Sequence, residues 1–466
     1  MKWIILLCVM FTQVVSADWK SDLKERLDKI VDKSGLKKAD LGIAVSDGQK
    51  NILFEINGDK HFIPASITKL FTTSAVLHIL QADYKFHTQL HVDGEQTGNI
   101  LKGNLILKGG GDPAFVSERM WMLVNDFTRS GIKKITGNIV VDDTYFDSDK
   151  FDEGREPQRN DRAYDAPVSA LSFNWNSTNI YIRAGRKEGE KAQVTIDPEN
   201  DYITLVNTVK TSKGVTSVEA SRSTSGGKDV ITVSGSIAQG AAEKVIYKNI
   251  SNPALYAGSN LKRFLKERGI DVEGSVVLGK LSAKAELITD QPSFPLSKLV
   301  SDVNKFSNNF VAEMLAKGLG AQVTGKQGRM EDGLEQVRNF ISTELNLKRT
   351  DFVLANVSGF SRKNSFTALQ FIDLLSWVQQ QFRIYPELVQ SLPSAGVDGT
   401  LERRMKGQAE RWVRAKTGLL TGVVALSGYA GRSSNGVLQF AFMYNGKADG
   451  SHVRNTFDNM AASLVK

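Results

Sequence analysis

The sequence is almost free of cysteine, with Cys8 as its single copy in 466 residues. Cys8 lies in the apolar segment Trp3–Phe11, which follows the basic start Met1-Lys2 and precedes small residues that end at Ala17. This pattern predicts a secretory signal peptide that is cleaved after Ala17. The mature chain is then expected to contain no cysteine, which excludes disulfides and thiolate metal sites.

Long hydrophobic runs and strong net charge are also missing. No apolar stretch approaches the ~18 residues that a membrane-spanning helix needs, so no transmembrane anchor is expected. The formal net charge is +8, a mild excess that suits an anionic surface such as a cell-wall polymer. Because no basic low-complexity tail accompanies this charge, nucleic acid is not an expected partner. The sequence does not indicate an oligomeric state.

Histidine is scarce, with five residues in the whole chain. His87 and His91 are closely spaced, but no carboxylate or cysteine cluster accompanies them, so we expect neither a metal nor another cofactor. The chain has no G-x-S-x-G elbow, and "GGGDP" (Gly109–Pro113) lacks the G-K-[ST] of a phosphate loop. These absences disfavour metal, Ser-His-Asp and phosphate-loop chemistry.

Secondary-structure signals change twice along the chain. Short β-like runs dominate from about Gln89 to Thr289, whereas helical patterns flank them, including one long helix predicted at Leu296–Gly320. We interpret the chain as an α+β domain split by a large β-rich insertion. The predicted division is a signal peptide at 1–17, a catalytic domain at 18–88 and 290–466, an inserted domain at 89–186 and 249–289, and a nested all-β domain at 187–248.

Ser66 precedes Lys69 by three positions in "FIPASITKLFTTSAV" (Phe62–Val76). This is one of seven S-x-x-K matches in the sequence, and a helix-compatible apolar run follows it. A helix N-terminus favours developing negative charge, and the spacing brings the two residues within ~5–6 Å at Cβ. A serine nucleophile needs a base, and a lysine serves as one when its pKa is lowered. Taken alone, the motif more often means a capping serine and a solvated lysine.

A second motif, S-x-N, lies in "KFSNNF", where Ser307 is followed by Asn308 and Asn309. Asparagine is a poor residue for the interior of a helix. The motif therefore predicts a local irregularity in the helix, made for a site. The alternative is an ordinary polar helix surface.

A third motif, K-T-G, lies in "RAKTGLL", where Lys416, Thr417 and Gly418 precede a strand-like run. Gly418 is expected to let a substrate backbone approach the strand closely. Another K-[ST]-G match, Lys33–Gly35, is the tail of the first predicted helix and precedes Ser66. The order S-x-x-K, S-x-N, K-T-G is typical of β-lactamases and penicillin-binding proteins.

With these motifs in order, the sequence resembles the low-molecular-mass class C penicillin-binding proteins, the D-alanyl-D-alanine carboxypeptidase/endopeptidases. The resemblance covers essentially the whole mature chain and implies a penicillin-binding/β-lactamase-like transpeptidase fold, an antiparallel sheet with helices. The interval from Ser66 to Ser307 also matches this family and is too long for a typical β-lactamase. Further matching segments are Leu105–Pro113, Tyr164–Asn176, Asn356–Asn364 and Val397–Met405.

The sequence departs from the family pattern at two places. "NVSGFSR", which begins at Asn356, stands where the family usually has Asp-Gly-Ser-Gly-Leu-Ser-Arg, and Leu419 follows K-T-G where threonine is frequent. The first departure puts the local loop shape in doubt. The second is tolerable if the backbone N–H of Leu419 is what matters.

The resemblance implies a role for each matched residue. Ser66 would form the acyl-enzyme, and Lys69, expected to be neutral when it acts, would be its base. Ser307 would relay a proton to the leaving amine, and Asn309 would contact the substrate amide and Lys69. Lys416 would place positive charge beside the substrate carboxylate, and Thr417 would donate a hydrogen bond to that carboxylate. The backbone N–H groups of Ser66 and Leu419 would form the oxyanion hole.

The implied partners are peptidoglycan stem peptides, with β-lactams as covalent inhibitors. An endopeptidase must also accept a meso-diaminopimelate leaving group, whose free carboxylate calls for a fixed bidentate cation. Arg362, in "GFSRKN", lies where the family motif has an arginine, and Asp161, in "RNDRAYDAP", is a looser candidate for the ammonium end. The alternative is that Arg362 only fixes its own loop.

The leading prediction is a periplasmic serine DD-peptidase that cleaves D-Ala-D-Ala and D-Ala–meso-diaminopimelate bonds. One alternative is a β-lactamase, which would need a base for fast deacylation that no evident loop provides. The other is an inactive wall-binding or penicillin-sensing protein, and the intact motifs argue against it.

Overall fold

The computed structural model describes residues 19–49, 51–152, 154, 160–432 and 436–465. The predicted signal peptide, with Cys8, lies outside these residues. The helices are α1 (19–34), α2 (Lys69–Leu80), α3 (Ser117–Phe127), α4 (Pro253–Glu267), α5 (Leu296–Phe306), α6 (Asn309–Thr324), α7 (Met330–Glu344), α8 (Ala368–Gln380), α9 (Tyr385–Ser391) and α10 (Gly450–Ser463).

The strands fall into several sheets. They are β1 (Leu41–Ser46), β2 (Ile52–Ile56), β3 (His87–Thr97), β4 (Ile100–Gly109), β5 (Lys134–Ile135), β6 (Ile139–Asp142), β7 (Ser177–Arg183), β8 (Gln193–Asp197), β9 (Ile203–Asn207), β10 (Lys210–Ser212), β11 (Ser217–Ser225), β12 (Lys228–Ala238), β13 (Lys244–Asn249), β14 (Asp271–Val272), β15 (Val276–Leu278), β16 (Glu286–Pro292), β17 (Val413–Leu420), β18 (Val423–Arg432) and β19 (Gly436–Asn445).

The chain forms two compact units. The first combines the described chain up to Ala82 with Val300–Asn308 and the part from Leu334 onwards, and the second comprises Asp83–Leu299 and Asn309–Gly333. The predicted catalytic domain also includes residues 83–88, 290–299 and 309–333, which belong to the second unit. The finer division of the insertion stays a prediction.

A five-stranded sheet organises the first unit, in the order β17-β18-β19-β1-β2, with antiparallel neighbours throughout. Leu23, Leu27 and Val31 of α1 and the apolar side of α10 join one face of the sheet in a single core cluster. Helix α8 packs on β1 and β19. Because this core sheet is covered so completely, all six residues of β1 are buried.

Helix α2 is the buried helix of the first unit. Its residues from Lys69 to Leu77 are all buried, as expected for a helix that is largely apolar on every side. Phe71 stacks on Phe366 with ring centroids 4.6 Å apart. This packing gives the first turn of α2, with its lysine, a fixed position.

The long helix predicted at Leu296–Gly320 is interrupted in its middle. Helix α5 ends at Phe306 and α6 begins at Asn309. Ser307 between them has a φ of 55°, the left-handed region that continues no right-handed helix. The single long helix was therefore wrong, whereas the irregularity predicted from the two asparagines is present.

The second unit contains a larger sheet and two small ones. The larger sheet has the order β14-β5-β4-β3-β16, with β6 beside β4 and β15 beside β6. Apolar side chains of α3 and α4 complete its core. The two small sheets, β13-β7-β8 and β10-β12-β11 with β9, share a separate core cluster.

Candidate active site

The S-x-x-K serine lies in a tight turn at the start of α2. A short 3-10 helix, Ala65–Thr68, leads directly into Lys69. Ala65 has a φ of 49°, a conformation that costs a non-glycine residue free energy and persists where the surroundings impose it. The Thr68 hydroxyl donates to Ala65 O at 2.8 Å. The turn before the serine is thus held in a strained, defined shape.

Gly359 presses against this same turn. It has a φ of 75°, and a Cβ at this position would lie 2.1 Å from Ala65 O and 3.0 Å from Ser66 N. No side chain fits at such distances, so glycine is required both by conformation and by space. The "NVSGFSR" loop is therefore packed directly on the backbone of the serine.

Lys69 Nζ donates to Ser66 Oγ at 3.0 Å. Lys69 Nζ also contacts the carbonyl oxygen of Ser358, a residue of the loop that packs on the serine turn. Lys69 is fully buried, whereas Ser66 is half-buried. A buried amine beside a partly accessible hydroxyl is the geometry that general-base activation of a serine requires.

The other two motifs meet through a second hydrogen bond. Lys416 Nζ donates to Ser307 Oγ at 2.8 Å and to its neighbour's carbonyl, Thr417 O, also at 2.8 Å. Lys416 is fully buried. Burial and, secondly, the Lys69 charge hold the pKa of Lys416 well below that of an ordinary lysine. The two lysines therefore disfavour each other's charged form.

Glycine is required at position 418 by packing within the protein itself, which the sequence analysis did not predict. A Cβ there would lie 2.8 Å from Pro64 O and 3.2 Å from Ala65 Cβ. The close neighbour is thus the protein's own serine turn, which lets β17 lie against the 3-10 helix. Whether a substrate backbone also approaches Gly418 stays a prediction.

The edge strand β17 pairs with β18 on one side only, and alternate residues direct their backbone groups to the other side, the open edge of the sheet. Val413 O accepts from Ala395 N at 2.9 Å, and Ala415 N donates to Pro393 O at 3.0 Å. Since alternate residues of a strand direct their backbone groups to the same side, Thr417 and Leu419 direct theirs to this edge too. The N–H of Leu419 is therefore directed to this edge, and its role as an oxyanion-hole donor stays a prediction.

Two asparagines shape the loop that departs from the family pattern. Asn356 Oδ1 accepts from Ser358 N at 3.1 Å, from Ser358 Oγ at 2.9 Å and from Phe360 N at 2.8 Å. Asn364 Oδ1 accepts from Ala355 N at 2.8 Å, and its amide donates to Thr68 Oγ1 at 3.2 Å. An asparagine oxygen thus makes the turn for which the family usually has an aspartate.

The remaining predicted residues have individual surroundings. Arg362 is exposed and donates to Thr421 O at 2.6 Å. Asp161, in the second unit, forms an ion pair with Lys248 at 2.6 Å and accepts from the backbone N–H of Arg222. Asn309 is the first residue of α6. Substrate roles for these three residues stay predictions.

Sequence reasoning missed two residues that contact the site. Ser358 supplies the carbonyl that contacts Lys69, and Thr400 accepts a hydrogen bond from the Thr417 hydroxyl at 2.8 Å. Both lie in segments that the family resemblance had picked out, Asn356–Asn364 and Val397–Met405. Their signal was the resemblance of those segments, but their contacts depend on the fold.

The described part of the chain contains no group of three or more His, Cys, Asp or Glu side chains that could hold a metal ion. Among the same residues, no helix is both long and apolar enough to cross a membrane.

Comparison with known proteins identifies the class of protein that this fold and site define. The family model described as D-Ala-D-Ala carboxypeptidase 3 (S13) family matches residues 23–465. A D-alanyl-D-alanine carboxypeptidase from an Actinomadura species is 33% identical over 450 residues, covering 91% of this chain and 81% of that protein. The protein is thus a serine-type D-Ala-D-Ala carboxypeptidase, and the chain belongs to the D-Ala-D-Ala carboxypeptidase 3 family. The predicted resemblance is confirmed.

Solved structures give the same fold. Penicillin binding protein 4 (dacB) from Haemophilus influenzae superposes with a TM-score of 0.78 at 23% identity, over 96% of this chain and 98% of that one. A predatory peptidoglycan endopeptidase from Bdellovibrio bacteriovorus gives a TM-score of 0.53 at 17% identity, over 91% of this chain and 92% of that one. The predicted α+β fold of the penicillin-binding type is confirmed.

Proposed function

We propose that this carboxypeptidase works through an acyl-enzyme on Ser66 and that it also cleaves D-Ala–meso-diaminopimelate cross-links of peptidoglycan. The observation that carries the proposal is the 3.0 Å hydrogen bond from the buried Lys69 amine to Ser66 Oγ. A lysine held in this position takes the hydroxyl proton as the serine attacks the carbonyl carbon of the penultimate D-alanine.

The charge that develops on the carbonyl oxygen needs donors. The N–H of Ser66 belongs to the strained turn, and the N–H of Leu419 is directed to the open edge of β17. Backbone donors of this kind are fixed before the substrate arrives, so they stabilise the transition state without reorganisation. This pair is our assignment for the oxyanion hole.

The leaving amine must receive a proton before it departs. Ser307 Oγ accepts a hydrogen bond from Lys416 Nζ, so its own hydrogen is available to a group on its other side. We assign Ser307 as the proton relay, with Asn309 holding the substrate amide. Water then hydrolyses the ester at Ser66 and regenerates the enzyme.

The terminal carboxylate of the substrate requires a positive site. Lys416 is the lysine of the K-T-G motif, and Thr417 adds a hydroxyl beside it; a bound carboxylate would favour the charged form of this lysine. Burial makes each of these interactions stronger than it would be in water. Penicillins carry a comparable carboxylate and an acylating carbonyl, so we assign them as covalent inhibitors that acylate Ser66.

Endopeptidase activity is the finer part of the proposal. Support comes from Arg362, which is exposed in the loop that packs on the serine turn, and from the fold shared with a peptidoglycan endopeptidase. The guanidinium uses one nitrogen for Thr421 O, and its fork has further donors for a carboxylate. Asp161 stays a looser assignment because Lys248 already occupies its carboxylate.

We also propose export to the periplasm, which the sequence pattern at 1–17 supports. A basic start, a short apolar run and small residues before Asp18 are features of a cleaved signal peptide. N-terminal sequencing of the protein recovered from a periplasmic extract should read from Asp18. A protein that retains Met1 and fractionates with the cytoplasm would contradict this assignment.

Digestion of purified peptidoglycan sacculi tests the proposed activities together. The wild-type protein is expected to release D-alanine and to convert diaminopimelate-linked dimers into monomers, both detected by mass spectrometry, whereas Ser66→Ala releases neither. If D-alanine is released while the dimers stay intact, the result would support the carboxypeptidase activity and contradict the endopeptidase activity. Dimer cleavage by the Ser66→Ala variant would contradict the proposed acyl-enzyme mechanism.

A further inference from the structure

Thr400 contacts the K-T-G motif from outside its strand. The Thr417 hydroxyl donates to Thr400 Oγ1 at 2.8 Å, and both side chains are half-buried. Leu419, the next residue of β17 with the same backbone orientation, has no hydroxyl. The second hydroxyl beside Thr417 therefore comes from another segment of the chain.

The segment that carries Thr400 is anchored to the end of α5. Asp398 Oδ2 accepts from Lys305 Nζ at 2.6 Å, and Asp398 Oδ1 accepts from Ser394 N at 2.9 Å. Gly399 has a φ of 57°, and a Cβ there would lie 2.5 Å from Lys305 O. The position of Thr400 is thus fixed from two sides, close to the helix end that precedes Ser307.

The direction of the hydrogen bond matters for binding a carboxylate. In the structure the Thr417 hydroxyl donates its hydrogen to Thr400 Oγ1. A hydroxyl is both donor and acceptor and can rotate. If Thr417 turns its hydrogen to a carboxylate, Thr400 can donate its own hydrogen to the Thr417 oxygen, and the 2.8 Å contact survives with its direction reversed.

We propose that Thr400 is a positioning residue that orients the Thr417 hydroxyl towards the terminal carboxylate of the substrate. A chain of two hydroxyls polarises the terminal donor and strengthens its bond to an anion. Thr400 acts through Thr417 and not on the reacting atoms. The inference rests on the proposed function, because it assumes that Thr417 binds the substrate carboxylate.

The test compares two substrates that differ only at the carboxylate. One is an N-acylated D-Ala-D-Ala peptide with a free C-terminus, and the other is the same peptide as its C-terminal amide. Thr400→Val is expected to raise KM for the free acid roughly tenfold, the effect of a weakened hydrogen bond to a charged group, with kcat changed less than about threefold. The amide substrate should show little change. Thr400→Ser should behave as wild type, and Thr343→Val, on exposed α7 surface, is the matched control.

A double-mutant cycle tests whether Thr400 acts through Thr417. Thr400→Val should add nothing to Thr417→Val, since the group that it orients is then missing. If the two substitutions raise KM by independent factors that multiply in the double variant, the proposal would be overturned. An equal rise in KM for the acid and the amide substrate would also overturn it. If Thr400→Val does not fold, judged by its thermal unfolding, Thr400→Ala takes its place in the cycle.

The outcomes also separate this inference from the function on which it rests. A wild-type protein that cleaves neither peptide would overturn the proposed function and this inference with it. A wild-type protein that cleaves the free acid, beside a Thr400→Val variant with unchanged KM, would overturn the role of Thr400 alone.

Discussion

Lys416 Nζ lies 2.8 Å from Ser307 Oγ, and this contact joins two motifs that are far apart in the sequence. Ser307 is available for it because the chain breaks its helix there, with a φ of 55°. Lys416 is available because β17 lies at the edge of its sheet. The same buried lysine is within electrostatic reach of Lys69, so the charge states of the two lysines are linked.

Replacing Lys416 by methionine should inactivate the enzyme and stabilise the fold. Burial lowers the pKa of Lys416, so the unfolded chain binds more protons than the native one between that lowered pKa and about 10.4, the ordinary lysine value. Stability of the wild type therefore rises with pH in this window. Lys416→Met should remove that slope, add about 0.5–2 kcal/mol at neutral pH and lower penicillin acylation at least about 100-fold.

Chemical denaturation at several pH values checks the stability part of this prediction, with Lys406→Met as the control at an exposed lysine. An unchanged pH slope in Lys416→Met would mean that Lys416 does not titrate in this window. A destabilised Lys416→Met would mean that the hydrogen bond to Ser307 outweighs the desolvation of the lysine.

The rate of acylation by penicillin should depend on pH in one direction. The proposed base is Lys69, which is buried and must be neutral to accept the Ser66 proton. The rate should therefore rise with pH through a group that titrates below about 10.4, the value for free lysine. Stopped-flow acylation from about pH 6 to about pH 10 measures it. A flat profile over this range would contradict a lysine base.

Asn356 should tolerate aspartate but not alanine. Its Oδ1 accepts three hydrogen bonds that shape the loop, and a carboxylate oxygen can accept the same three. Asn356→Asp should keep kcat/KM within about threefold, whereas Asn356→Ala should lose about 1–3 kcal/mol of unfolding free energy from unsatisfied buried donors. Thermal unfolding and penicillin acylation check both. Wild-type stability in Asn356→Ala would show that Gly359 and Asn364 suffice to hold the loop.

Arg362 should discriminate between substrates. Arg362→Ala is expected to cost ~1–3 kcal/mol in kcat/KM for diaminopimelate-linked dimers, the range for losing a charged hydrogen bond, and much less for a generic D-Ala-D-Ala peptide. Lys363→Ala, which removes the neighbouring exposed cation, is the control. An equal fall in kcat/KM for both substrates would mean that Arg362 only fixes its loop through Thr421 O. The endopeptidase proposal would then have no residue that recognises the diaminopimelate carboxylate.

The sequence predicted local geometry where the motif spacing itself determines it. An i,i+3 spacing at a helix start was enough to bring Lys69 to Ser66, and the asparagines after Ser307 signalled a broken helix. The contacts of Ser358 and Thr400 could not be predicted, because each joins segments whose approach depends on the whole fold. Gly418 was recognised as a close-approach position, but its nearest neighbour, Pro64 O, is visible only in the structure.

The central claim is that Ser66 is the nucleophile, and the site of covalent modification tests it most directly. The wild-type protein is incubated with benzylpenicillin, digested, and its peptides are weighed by mass spectrometry. We predict one adduct per chain, on the peptide that contains Ser66, which persists for minutes and is absent from a folded Ser66→Ala variant. An adduct on another residue, or an adduct that Ser66→Ala still forms, would contradict the account, and rapid loss of the adduct with turnover of the drug would favour a β-lactamase.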